Sequence, residues 1–203
     1  ILDAIDQLTS TAASHQRTFV VEVMGRHCGY LPLMAAVAGG ADYVFTPEDP
    51  AGPGWQDDLA EHLRLGREAG RRESIVLVAE GAHDRDGNEL STQLIADTIQ
   101  ERTGEDARVT ILGHVQRGGT PSAYDRWMST LLGYAAVQEI LESMAEDEPV
   151  ILGVRRNRIT RVPLMKAVHD TRAVKDLIAA GDYAAAQASR GSSFSSMVGI
   201  NQI

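Results

Sequence analysis

A chain of 203 residues with 43% hydrophobic content can bury a full core, and its length suits one domain or a domain and a half. Its 19 basic and 28 acidic side chains leave a formal charge of −9, which repels polyanions and argues against nucleic acid as a partner. No apolar run reaches the roughly 18 residues of a membrane helix, so no membrane partner is expected, and a single Cys supports no disulfide framework and fits a reducing, cytoplasmic setting.

Ile1, Leu2, Ile5 and Leu8 are helically spaced from the first residue, so the chain is expected to begin inside an element and to be a fragment of a longer protein. Ser10 to Ser14 reads as a small-polar loop. Arg17 stands just ahead of a β-branched strand at Thr18–Val23, followed by a turn between Gly25 and Gly29 that carries Arg26. Leu31 to Ala38 is rich in helix formers and stops at Gly39-Gly40. This strand, glycine turn and helix form the segment around which the rest is organised. In open α/β sheets ligands bind beyond the carboxyl ends of parallel strands, where the N–H groups of a helix N-terminus are available to an anion.

Asp42–Thr46 reads as a second strand, Pro47 to Gly54 as a loop, and Trp55, Leu59 and Leu63 as the apolar stripe of a helix ending at Gly70. Ser74–Ala79 is a near-continuous apolar strand ended by Glu80. Asp86-Gly87 marks a turn, Ser91 caps a helix running to about Thr103, and Arg108–Leu112 is the next strand. Thr120 with Pro121 is expected to open a long helix bearing Tyr124, Trp127, Met128, Leu131, Ala135 and Leu141. Pro149–Val154 and Arg158–Val162 are strand candidates joined by Arg155-Arg156-Asn157. Leu164 to about Ala180 is an amphipathic helix, Asp182 to Arg190 an alanine-rich one, and the tail from Gly191 a linker or frayed end. The alternation predicts an α/β fold with a doubly wound, mostly parallel sheet.

Three strands end on residue types that carry chemistry: Val23 into Met24-Gly25-Arg26, Ala79 into Glu80, and Leu112 into Gly113-His114-Val115-Gln116-Arg117. If these strands are parallel, one edge gathers an anion-binding Arg, a carboxylate that accepts hydroxyl hydrogen bonds, and a His/Arg pair, which reads as a sugar-phosphate site. Each residue also has a plainer reading. Arg26 could be a solvated turn residue, Glu80 the partner of a structural Arg, His114 a hydrogen-bonded core histidine, the Arg117–Gly119 stretch a simple loop, and Arg17 and Arg108 surface charges. Cys28, Trp55 and Trp127 read as core residues. The six histidines show no ligand spacing for a protein-held metal.

Val20-Val21-Glu22-Val23-Met24-Gly25-Arg26-His27-Cys28-Gly29-Tyr30 closely resembles the substrate-binding signature of the 6-phosphofructokinases. The stretch Arg108 to Pro121, with Gly113-His114-Val115-Gln116-Arg117-Gly118-Gly119, resembles that family's other signature. The resemblance runs from Ile1 to about Phe194 and implies a Rossmann-like, three-layer phosphofructokinase sandwich. It implies that Met24, Gly25, Arg26, Glu80, His114, Val115, Gln116 and Arg117 bind fructose 6-phosphate, with His114 and Arg117 nearest the 6-phosphate and Arg26 also stabilising the transferring phosphoryl group. Arg17 and Arg108 precede their strands, so they belong at the opposite sheet edge, a strand length of ~18–20 Å away. In the family these positions complete a neighbouring subunit's site.

The resemblance further implies a cytoplasmic, allosteric glycolytic transferase, a homo-oligomer and by likeness a tetramer, that uses ATP with magnesium entering on the nucleotide. Residues 1–117 would form the sugar-phosphate domain, 118–190 a returning segment packed on an absent nucleotide domain, and 191–203 a flexible tail. The segments supplying the family's catalytic aspartates and its phosphate-donor site are absent from this sequence and are expected before Ile1. Thr9 stands where bacterial members carry an effector-site arginine, although Asp42 retains an acid, which argues against bacterial-style control by ADP. Arg158–Met165 and the tail resemble the N-terminal half of the duplicated eukaryotic enzymes. The alternatives are a pyrophosphate-dependent enzyme and a non-catalytic, sugar-phosphate-sensing half, and the intact Met24-Gly25-Arg26 favours catalysis.

Overall fold

The computed structural model describes residues 1–144 and 148–201, which form two compact units, one of residues 1–117 with 177–201 and the other of residues 118–144 with 148–176. The first unit alternates helix and strand: α1 (Leu2–His15), β1 (Thr18–Val23), α2 (Tyr30–Gly39), β2 (Tyr43–Phe45), α3 (Trp55–Glu68), β3 (Ser74–Ala79), α4 (Thr92–Thr103) and β4 (Ala107–Ile111). All four strands run parallel in the order β2-β3-β1-β4. Side chains alternate across the sheet. Val21, Val23, Ile75 and Leu77 pack with Ile5 of α1 and Ala35 and Ala36 of α2. Val20, Val76 and Val78 pack with Trp55, Leu59 and Leu63 of α3 and Ile95 and Ile99 of α4. Every residue of β3 is buried, as expected of a central parallel strand covered on both faces. The result is the doubly wound, three-layer α/β arrangement.

Several boundaries differ from the sequence expectation. α1 runs straight through Ser10 to Ser14, because Ser10 and Ser14 donate their hydroxyls back to the carbonyls of Gln7 and Thr11, and because Ala12, fully buried, anchors that turn. Ser91 does cap α4, accepting the Leu94 N–H at 3.1 Å.

The second unit contains α5 (Ala123–Glu142), the strands β5 (Val150–Arg155) and β6 (Arg158–Pro163), and most of α6 (Leu164–Ala179). The N-cap of α5 is Ser122, not Thr120. Its side chain accepts the Asp125 N–H while the Asp125 carboxylate accepts the Ser122 N–H, a reciprocal box that satisfies two otherwise orphaned donors. Trp127, expected in a core, is 51% exposed in this chain. β5 and β6 pair antiparallel across Arg156 and Asn157, both at positive φ (52° and 58°), as the tightest hairpin turns require.

The chain then returns to the first unit through α7 (Tyr183–Ser189) and α8 (Ser192–Asn201). The expected division at residue 190 and the flexible tail are both replaced by this return. Phe194 is fully buried with Leu33 and Met197, and its ring stacks on Tyr30 at 6.4 Å. A side chain of that size seated in a core holds the helix down; residues 202 and 203 lie outside the described residues.

Candidate functional site

The strand register decides what meets at the carboxyl edge. Val23 lies beside Ala79 of β3, and Glu22 beside Ile111 of β4. The ladder continues one step further, with the Glu80 N–H donating to Val23 O and the Leu112 N–H to Glu22 O. Met24, Glu80 and Gly113 therefore start their loops side by side.

Within that edge, the turn after β1 is held by its neighbours. Glu80 Oε2 accepts the N–H groups of Arg26 at 2.8 Å and Gly25 at 3.1 Å. These bonds, Arg26's first, hold the Glu80 carboxyl below the usual carboxylate range. Arg26 is a non-glycine residue at φ 54°, a conformation that costs about 1 kcal/mol and persists only where surroundings enforce it. Gly81 supplies part of that enforcement: at φ +80°, it approaches so closely that an added Cβ would lie 2.9 Å from Arg26 O. Gly25 is equally constrained, since a Cβ there would meet Cys28 O at 2.6 Å.

Gln116 fastens the other loop. Its carboxamide accepts the Met24 N–H at 2.6 Å and donates to Met24 O. Gln116 therefore acts on the protein's own backbone, and the 3₁₀ turn Gly113–Gln116 that it ends carries His114, Val115 and then Arg117 exposed beside the Arg26 turn. Glu22, beneath this edge, is pushed up by burial and by the nearby Glu80 and Glu89 carboxylates.

The N-terminus of α2 does not wait for an external anion. Glu48, fully buried, accepts the Gly29 N–H with both oxygens at 3.2 and 2.9 Å, and a Cβ on Gly29 would fall 2.8 Å from its Oε2. Arg190 completes the arrangement, donating Nε to Glu48 Oε1 at 2.8 Å and a terminal nitrogen to His27 O at 3.0 Å. Breaking so buried an ion pair costs about 3–5 kcal/mol, somewhat less here because Arg190 keeps 22% exposure. Neither residue carried a sequence signal: Glu48 lies in the proline-rich loop, and Arg190 meets it across 142 positions. Cys28 is half-buried rather than core, and burial raises its thiol above the ordinary value.

The amide donors of Met24, Gly25, Arg26 and Gly29 are thus all engaged by the protein's own side chains. The side chains of Arg26, His114 and Arg117 are exposed at this edge, and Glu80 Oε1 is the oxygen not used by the turn. At the opposite, amino edge, Arg17 Nε at 2.8 Å and an Arg108 terminal nitrogen at 2.9 Å share one oxygen of Asp106. Among the described residues no three His, Cys, Asp or Glu side chains converge on a point a metal could occupy.

A parallel, doubly wound unit with basic and acidic side chains gathered on its carboxyl edge defines an α/β protein of the class that binds ligand at strand ends. More particularly, the chain belongs to the phosphofructokinase family, whose model, described as Phosphofructokinase, matches residues 1–140. It is 49% identical over 195 residues to an ATP-dependent 6-phosphofructokinase of Aspergillus niger, covering 96% of this chain and 25% of that protein. With the liver-type ATP-dependent 6-phosphofructokinase of Homo sapiens it shares 46% identity over 194 residues, again 96% of this chain and 25% of the other. A solved phosphofructokinase structure from Saccharomyces cerevisiae superposes with a TM-score of 0.93 at 44% identity, covering 98% of this chain and 27% of that one. The chain spans about a quarter of the length of the curated relatives it matches.

Proposed function

We propose that this chain is the substrate-binding part of an ATP-dependent 6-phosphofructokinase, which transfers the γ-phosphoryl of ATP to the 1-hydroxyl of fructose 6-phosphate. The observation that carries the reading is the convergence of the Arg26 turn, Glu80 and the His114–Arg117 loop on one sheet edge, with the backbone donors there already engaged. His114 and Arg117 hold the 6-phosphate, Glu80 accepts sugar hydroxyls through its free oxygen, and Arg26 aims its charge where the transferring group is most negative. The backbone of Met24 and Gly25 and the Gln116 carboxamide shape the pocket floor, and Val115 lies alongside it. Magnesium arrives with the nucleotide, whose site and catalytic base belong to a part of the enzyme outside this chain.

The names of the relatives, all ATP-dependent at 46–50% identity, favour ATP over pyrophosphate as donor. The intact Met24-Gly25-Arg26 favours a catalytic over a sensing half. The enzyme is read as a cytoplasmic, allosteric homo-oligomer, by likeness a tetramer, in which Arg17 and Arg108 enter a neighbouring subunit's site. A coupled assay for fructose 1,6-bisphosphate tests the proposal: the complete protein should turn over with ATP and not with pyrophosphate, and the isolated 203-residue chain should turn over with neither. Turnover by the isolated chain, or none by the complete protein, would overturn it.

A further inference from the structure

We infer that Arg190 is a positioning residue for the Arg26 turn, and that through it the α7–α8 segment controls where the Arg26 side chain points. The inference rests on the catalytic role proposed for Arg26. Three separate parts of the first unit meet at this guanidinium. Its Nε donates to the buried Glu48 carboxylate, which itself receives the Gly29 N–H, and its second arm donates to His27 O, one residue beyond Arg26. Gln187 of α7 adds a bond to Glu48 O at 3.2 Å. Arg26, at positive φ, is thereby held from both directions, with Glu80 on its own N–H and Arg190 on the next carbonyl.

A simple staple for the C-terminal helices would not be built this way. α8 already has its own seat, through Phe194, Leu33, Met197 and the Tyr30 ring. The second arm of Arg190 lies outside that apolar seat and goes to the turn backbone at His27 O. The planar guanidinium fixes its two acceptors relative to each other, which a lysine ammonium cannot do. A displacement of α7–α8 would therefore be passed to His27 and so to Arg26.

The test uses the complete protein carrying Arg190→Gln or Arg190→Lys. Hydrogen–deuterium exchange in the peptide covering residues 24–30 should quicken about tenfold or more in both variants, with α8 as protected as before. Turnover should fall by about 10- to 100-fold, with the KM for fructose 6-phosphate changed far less. Added to Arg26→Ala, Arg190→Gln should cost no further turnover. Loss of α8 protection with the turn unchanged, or a full further loss of turnover in the Arg26→Ala background, would make Arg190 a structural staple only. Should Arg26→Ala itself keep full turnover, the role proposed for Arg26 fails, and the exchange result alone decides whether Arg190 holds the turn.

Discussion

The N–H of Arg26 donates to Glu80 across 2.8 Å, so a carboxylate and a guanidinium residue that the sequence offers as two ligands of one substrate are also each other's support. Under the proposed function Glu80 also contacts the sugar, so its removal would take away that contact and at the same time release the strained turn that carries Arg26. Glu80→Ala is expected to raise the KM for fructose 6-phosphate by about 30- to 1,000-fold, a loss of ~2–4 kcal/mol, and also to lower kcat, with the KM for ATP nearly unchanged. Steady-state kinetics on the complete protein would separate these. Equal weakening of both substrates would reduce Glu80 to a general structural residue.

The same bonds set a pH dependence. Because hydrogen bonding holds Glu80 below its ordinary value of 4.5, its contribution to turn order is fully present above that ordinary value. It is lost only as pH falls through the lower, folded value. In heteronuclear NMR spectra the Gly25 and Arg26 amides should keep their positions at and above pH 4.5 and move together below it. A midpoint above 4.5 would contradict the arrangement.

Under the role proposed for Arg26, Arg26→Ala should act mainly on the chemical step, because there the charge is most useful when the transferring group is most negative. A fall in kcat of about 10²–10⁴-fold with a smaller change in KM is expected, and Arg26→Lys should recover only part of it. Unchanged kcat would return Arg26 to a solvated turn.

Arg17 and Arg108 share Asp106 at the amino edge, away from the strand ends that carry Arg26 and Glu80. For them to serve a substrate site, the edge of one subunit has to meet the opposite edge of another. Mixing full-length Arg108→Ala with Glu80→Ala subunits, each strongly impaired alone at low fructose 6-phosphate, should restore part of the activity by pairing one doubly damaged pocket with one intact pocket. Hybrids of confirmed mixed mass that stay as impaired as their parents would show that the arginines do not act in trans.

The parts of this architecture that local pattern encodes were legible. The apolar run Ser74–Ala79, the helical stripe of Trp55, Leu59 and Leu63, and the strand ends at Val23 and Ala79 fell where the parallel sheet needs them, while β4 spans Ala107–Ile111, one residue earlier at each end than the expected Arg108–Leu112. The Ser10–Ser14 stretch misled because serine favours loops only until its hydroxyl bonds back into a helix. Trp127 misled because helical spacing marks an apolar stripe without saying what covers it. Glu48, Arg190 and the Gln116 clasp on Met24 were not legible at all, since each depends on contacts between segments far apart in the chain.

The amides of Met24, Gly25, Arg26 and Gly29 are satisfied from within, so under the proposed function the groups left to grip a phosphate are the exposed tips of Arg26, His114 and Arg117. Recognition then immobilises long side chains rather than a loop, each arginine giving up about 1.5–2 kcal/mol of rotamer freedom. Calorimetry of fructose 6-phosphate binding should accordingly register a favourable heat opposed by an ordering entropy, with a small heat-capacity change because little apolar surface is covered.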